Sequence, residues 1–421
     1  MSLIFIFILG APTLTFATGS GQFDFISGLK VEFVLFGLML LGVALFHHHT
    51  LKVGLIGLAV IVMYKFFFTQ FNFIDHAEHE WMTLLNLLGL LLGFTILAKH
   101  FEESGIPQLL PNILPDDWKG GFVLLLLIFI MSSFLDNIAA AIIGGTIAQV
   151  VFNKKIHVGY IAAIVAASNA GGSGSVVGDT TTTMMWIDGV DALSVLHAYY
   201  AAVPAVIICG IIASIQQDKY HRILRNARTN VKIDLKKLGV VIFILIGAIL
   251  TNIYMNFPAL GVWIAIAIGA VFTSTYWKAI PSAIKGSIFL LSLVLSASMM
   301  PVEELPVATW QSTFSLGFIS AIFDNIPLTK LALEQGGYDW GVLAFAVGFG
   351  GSMIWFGSSA GVALSTMFPE AKSVVSWIKN GWHVILAYVI SFFIMLGIAG
   401  WEPTSTNQKK DNSIQSEISR K

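Results

Sequence analysis

The sequence predicts an all-α polytopic membrane protein made of two inverted-topology repeats, each holding a re-entrant hairpin and a broken transmembrane helix. Three observations predict it: the composition, the lengths of the apolar runs, and a pair of motifs that occurs twice. Of 421 residues, 56% are hydrophobic and 11% charged, whereas a soluble domain is about 25% charged. Mean hydropathy is +0.81. These values exclude a soluble globular, disordered, collagen-like or disulfide-scaffold protein. A formal net charge of -1 gives nucleic acid nothing to bind. The single cysteine, Cys209, lies in an apolar run, which removes disulfides and thiolate metal sites.

In chain order, residues 1–30 read as a signal peptide or a first span. Their apolar core ends at Thr15-Phe16-Ala17 with no basic segment before it, and the two readings stay open. A spanning helix needs about 20 mostly apolar residues. The first repeat, 31–216, supplies such runs at 31–46, 51–69, 81–98 and 196–216. The second, 238–400, supplies 238–256, 259–277, 283–300 and 380–399. Longer, interrupted apolar regions cover 121–152, 157–187, 310–335 and 340–367. Residues 401–421 read as a disordered polar tail.

Between the repeats, the loop 217–237 carries Lys219, Arg222, Arg225, Arg228, Lys232, Lys236 and Lys237 against Asp218 and Asp234. An excess of Lys and Arg marks a cytoplasmic loop. Counting spans outward puts Lys52, Lys99 and Lys154-Lys155 on that face too, provided that 121–152 and 310–335 are hairpins entering and leaving on one side. Asp75–Glu80 and Glu303-Glu304 fall outside. The tail also falls outside although its end is basic, which disagrees mildly with the rule.

The duplication is legible in two motifs. Phe134-Leu135-Asp136-Asn137-Ile138 returns as Ile322-Phe323-Asp324-Asn325-Ile326. Gly171-Gly172-Ser173 with Gly178-Asp179 returns as Gly350-Gly351-Ser352 with Gly357-Ser358. The span count sets the two hairpins on opposite faces, so the halves are inverted. Inverted repeats with glycine-interrupted segments in matching positions point to a transporter with a site near the bilayer midplane. Runs such as Asn169–Gly174 are expected to break a helix, making Gly171, Gly172, Gly178, Gly350, Gly351 and Gly357 backbone-opening positions. Freed carbonyls at that depth must line a cavity or bind something.

Asp136, Asp179 and Asp324 sit in apolar runs, and each intramembrane carboxylate opposes insertion by about 2.5–3.5 kcal/mol. The structural alternative is that they cap half-helices; capping and ion binding can coexist. Carboxylate, hydroxyl and carbonyl oxygens are the ligands a small hard cation prefers. The expected cation- and proton-binding set is Asp136, Asn137, Asn169, Ser173, Asp179, Thr180, Thr181, Asp324, Asn325, Ser352, Ser358 and Ser359. Burial disfavours a charged carboxylate, so a proton and a cation can compete for one group, which suffices for antiport.

Other polar clusters take plainer readings. His47-His48-His49 reads as an interfacial cluster, and Asp75-His76-Ala77-Glu78-His79-Glu80 as a solvated outer loop. Phe66-Phe67-Phe68 with Trp81, Trp263 and Trp401 suits an interfacial aromatic belt. His197 and Tyr199-Tyr200 need no special role, and Met184-Met185 and Met299-Met300 read as packing.

Across Ser168-Asn169-Ala170-Gly171-Gly172, Gly178-Asp179 with Thr180–Ile187, Asp324-Asn325-Ile326-Pro327-Leu328 and Gly350–Ala363, the sequence resembles the NhaD-type sodium/proton antiporters of the ion transporter (arsenite/citrate/NhaD) superfamily. The resemblance covers residues 80–400. It implies alternating access, a scaffold part and a moving part, a homodimer in the lipid bilayer, and transported Na+ or Li+ and H+ with no cofactor and no resident metal. It further implies a bacterial inner membrane and neither nucleic acid nor protein as substrate. Ala139-Ala140-Ala141 departs from the threonines that such members tend to have after the first Asp-Asn. Gly174-Ser175-Val176-Val177 departs from their aromatic residue and proline.

The alternative within the superfamily is a Na+- or H+-coupled carboxylate or other anion transporter. Those carriers resemble a Ser-Asn-Thr pattern at both hairpin tips, which Asp136-Asn137-Ile138 and Asp324-Asn325-Ile326 lack. An aspartyl protease needs Gly-x-Gly-Asp, which Val176-Val177-Gly178-Asp179 breaks at the first glycine. A channel has no need of two inverted broken helices. The sequence therefore reads as a non-enzymatic transporter.

Overall fold

The computed structural model describes residues 24–26, 29–46, 49–223 and 231–404. His47, His48, most of residues 1–30, Arg225, Arg228 and the tail beyond Thr404 lie outside the described residues. The chain opens on a two-stranded antiparallel ribbon, β1 (Asp24–Ile26) and β2 (Leu29–Lys30). Among the described residues, everything else that is regular is helical, as expected of a chain whose backbone polar groups must be satisfied within lipid.

Two bundles follow, and each draws on both halves of the sequence. The first joins α1 (Val31–Leu45), α2 (Thr50–Phe68) and α3 (Phe73–Glu103) to α11 (Leu235–Met255), α12 (Pro258–Phe272) and α13 (Ala279–Ser298). The second bundle takes α5 to α10 from the first half: α5 (Trp118–Ser132), α6 (Asn137–Val151), α7 (Val158–Ser173), α8 (Thr180–Ile187), α9 (Ala192–Leu196) and α10 (Tyr199–Tyr220). A single turn of helix, α4 (Ile106–Leu109), precedes them. These pack with α14 (Trp310–Ser320), α15 (Asn325–Gln335), α16 (Trp340–Gly350), α17 (Ser359–Met367), α18 (Val374–Asn380) and α19 (Trp382–Ala399). Among the described residues, six helices are long and apolar enough to cross a membrane, including α2, α3, α11, α13 and α19. The chain is a polytopic membrane protein.

Several sequence expectations shift. The run 81–98 extends to Phe73–Glu103 because Asn72 caps it, its side chain accepting from Ile74 N at 3.0 Å. Asp75–Glu80 is therefore helix rather than a solvated loop, and Glu80 is buried. The basic segment is helical at both ends, since α10 runs to Tyr220 and Asp234 caps α11. The start of the tail is packed: Trp340 Nε1 donates to Thr404 O and Glu402 N to Asp339 Oδ2.

The sequence duplication is also a duplication of contacts. Ser132, four residues before Asp136, donates its hydroxyl to Ser168 O at 2.6 Å. Ser320, four residues before Asp324, donates to Val347 O at 2.7 Å. Those two acceptors each lie three residues before the first glycine of their motif. Asp136 and Asp324 share one cap conformation, φ/ψ of -51/139° and -53/141°. Asp179 and Ser358 share another, -145/145° and -143/153°.

Helix α16 ends at Gly350 with Gly351 as its cap, as the sequence expectation has it, but the first-half glycines act differently. Helix α7 continues through Asn169–Ser173, so the Gly-Gly pair does not break it, and the interruption falls at 174–179. None of the six has a positive φ. They instead let backbones touch. A Cβ on Gly171 would meet Phe129 O at 2.1 Å, and one on Gly350 would meet Gly317 O at 2.3 Å. A Cβ on Gly178 would meet Ser132 O at 2.2 Å, and one on Gly357 would meet Ala321 O at 2.6 Å. Small residues that permit such approach are the usual means of packing helices in lipid.

Candidate functional site

Asp179 ends the first interruption and caps α8, its Oδ1 accepting from Thr181 N at 3.1 Å. A helix N-terminus favours a negative group. Its Oδ2 accepts from Asn137 Nδ2 at 3.1 Å, and the same amide donates to Asn169 Oδ1 at 3.1 Å. Asn169 Nδ2 in turn donates to Ser352 Oγ at 2.9 Å. One chain of hydrogen bonds thus runs from Asp179 through Asn137 of α6 and Asn169 of α7 to Ser352. Asp179 is only 3% exposed.

A cavity of about 510 Å³ reaches this point. Asp136, Asp179 and Thr180 lie at its inner end, with Thr183 beside them. Its outer end is formed by Lys99 and Glu102 of α3, both partly exposed and paired at 2.5 Å, with Gln108. Ser282 and Ser287 of α13 make the far wall. The cavity therefore lies between the two bundles, and the cap carboxylates of α6 and α8, Asp136 and Asp179, both line it.

The remaining predicted residues separate by half. Asp324 caps α15, Oδ1 accepting from Ile326 N at 3.0 Å and Oδ2 from Ser359 Oγ at 3.2 Å. It does not line the cavity. Ser358 spends its hydroxyl oxygen on Gly361 N, and Ser173 donates to Ala170 O. By the contact repeat, the counterparts of Asn169 and Asp179 are Gly348 and Ser358. Asn325, the counterpart of Asn137, accordingly finds neither acceptor, and among the described residues its Nδ2 has no hydrogen-bond partner. The duplicated halves are chemically unequal, and the first holds the fuller set of polar partners.

The carbonyls expected to be free are largely taken by the protein. Tyr199 Oη lies 3.0 Å from Gly171 O and 2.8 Å from Ser133 Oγ. Thr182 Oγ1 donates to Ser175 O at 2.6 Å, and Thr183 Oγ1 to Val176 O at 2.9 Å. Trp377 Nε1 donates to Ser352 O at 3.1 Å. Sequence reasoning gave Tyr199 no role and passed over Trp377, because both lie far in sequence from the motifs they support. It also passed over Lys330 in α15. A charged residue inside an apolar hairpin was the available signal.

No protein-family model matches the chain. Curated relatives do. The chain is 25% identical over 333 residues to Sodium/proton antiporter 1 of Arabidopsis thaliana, which takes in 68% of this chain and 55% of that protein. It is 24% identical over 331 residues to Sodium/proton antiporter 2 of the same plant, covering 68% and 76% respectively. Over 102 residues it is 29% identical to the Na(+)/H(+) antiporter NhaD of Vibrio cholerae, covering 23% and 21%. The chain spans little more than half the length of the first of these relatives.

Proposed function

We propose that the chain is a secondary transporter that exchanges Na+, or Li+, for H+ by alternating access. The observation that carries this reading is the buried Asp179 carboxylate, held by an amide and a backbone N–H at the floor of a cavity between the two bundles. An isolated buried charge is costly. A bound cation or a proton relieves that cost, and one carboxylate cannot serve both at once. The similarity to proteins named sodium/proton antiporters supports the same chemistry.

Asp179 is the shared cation and proton acceptor, with Asp136 and Thr180 completing the open side. Asn137 holds the carboxylate in place, and Asn169 and Ser352 fix the orientation of the Asn137 amide. Asp324, with Ser359, is the corresponding group of the second half. The halves lie inverted in the membrane, with the two helix–turn–helix units as re-entrant hairpins and the segment 217–237 cytoplasmic. The cavity then opens to the cytoplasm, because Lys237 pairs with Glu103 at the same end of α3 as its mouth.

Everted vesicles carrying a proton gradient and a pH-sensitive dye test the reading. Na+ or Li+ is expected to dissipate the gradient, and Asp179→Asn to abolish the response. Lowering pH is expected to raise the half-saturating Na+ concentration while leaving the maximal response reachable at high Na+, because the two ions compete. A gradient untouched by any alkali cation would overturn the proposal.

A further inference from the structure

Exchange requires that the site be reached from both faces in turn. Helix α3 shows where the second mouth lies. Lys99 and Glu102 border the open mouth, and Glu80 sits about 30 Å away along the same helix at 1.5 Å per residue. That is the thickness of the hydrocarbon core, so Glu80 belongs to the opposite face.

There Glu80 is 5% exposed and meets Lys330 of α15, which is 3% exposed. Lys330 Nζ lies 3.1 and 3.4 Å from the two Glu80 oxygens and 2.5 Å from Glu334 Oε1. Asp188, just after α8, adds its charge to the surroundings of this ammonium. The contact repeat pairs α15 with α6, whose Ile142, Ile143 and Thr146 line the open cavity. Their counterparts at the same distances from the Asp-Asn pair are Lys330, Leu331 and Glu334. The face that would form a second mouth is therefore the face that Glu80 now covers.

We propose that Glu80 and Lys330 form the latch that seals the second mouth of the site, joining α3 of the first bundle to the second hairpin. The proposal rests on the transport reading above. Opening that mouth separates α15 from α3 and parts the pair. A buried ion pair with one partner removed leaves an uncompensated charge, so the sealed state loses its advantage once either member is neutralised.

The test is thiol labelling, which reads access without any sodium or proton gradient and so stands apart from the ion assignment. In a Cys209→Ala background, which removes the only cysteine, Ile142→Cys reports on the open mouth and Leu331→Cys on the sealed one. A membrane-impermeant maleimide is applied to everted and to right-side-out vesicles. Ile142→Cys is expected to react from one side, and Leu331→Cys at least tenfold more slowly, from the other. Adding Glu80→Gln or Lys330→Met should raise Leu331→Cys labelling about tenfold, and the exchanged pair Glu80→Lys with Lys330→Glu, made together with Glu334→Gln so that the moved carboxylate meets no like charge, should return it toward the parent rate. Labelling of Leu331→Cys unmoved by either single variant overturns the latch. Should the single variants not accumulate as folded protein, the exchanged pair decides: labelling as slow as the parent supports the latch, and labelling about tenfold faster overturns it.

Discussion

Asn137 Nδ2 donates at once to Asn169 Oδ1 and to Asp179 Oδ2, each at 3.1 Å. The second residue of the hairpin motif is thereby tied to both halves of the broken helix. A hydrogen bond to a charged group contributes about 1.5–3 kcal/mol, so Asn137→Ala is expected to weaken apparent Na+ affinity by about tenfold or more. Half-saturation measured by dye dequenching checks this. An unchanged value would detach Asn137 from the site.

Gly171 and Gly350 stand where a methyl group would meet a carbonyl oxygen at 2.1 and 2.3 Å. Gly171→Ala and Gly350→Ala are each expected to destabilise the protein by about 1–3 kcal/mol or more through overpacking. Gly286 also lines the cavity but has nothing within 4 Å of an added Cβ, so Gly286→Ala should fold normally. Monodisperse yield after detergent extraction separates the two outcomes.

At Gly348 a Cβ would sit 3.5 Å from Ser173 Cβ and 3.8 Å from Asp179 Oδ2, ordinary contact distances. Gly348→Ala should therefore keep the fold while placing a methyl group against the carboxylate. A shift in apparent Na+ affinity of roughly threefold, under 1 kcal/mol, with a thermal midpoint close to the parent's is the expected result.

Trp377 is fully buried and ends the hydrogen-bond chain by donating to Ser352 O. Trp377→Phe keeps the ring packing but leaves that carbonyl without its donor, at a cost of about 1–3 kcal/mol. The thermal midpoint should fall, and added Na+ should recover part of the loss, because a ligand that binds only the folded state stabilises it. A midpoint unaffected by the substitution would show that the bond carries no weight.

Much of this was legible beforehand. Apolar runs of spanning length located α1, α2, α10, α11, α12, α13 and α19 closely, because chain length and lipid thickness constrain them directly. The Asp-Asn motifs fall at the turns of two helix–turn–helix units, and the Gly-Gly-Ser motifs lie beside both interruptions. The break was misplaced in the first half, where α7 runs through Gly171 and Gly172, since in a crowded interior glycine serves close approach as well as loose backbone, and the letter alone does not distinguish the two.

By itself the sequence determined that the chain is a polytopic membrane protein, that two of its motifs occur twice, and that Asp136, Asp179 and Asp324 stand out as costly groups in apolar surroundings. These are local properties, read from composition and from residues a few positions apart. Only the tertiary structure decided which carboxylate lies at the cavity floor, that Gly348 and Ser358 leave the second half chemically poorer, and that Tyr199 and Trp377 occupy the carbonyls expected to be free. It alone joined Glu80 to Lys330 across 250 residues. Hydrogen bonds and ion pairs act over about 3 Å in space, and such partners share no spacing along the chain from which to infer them.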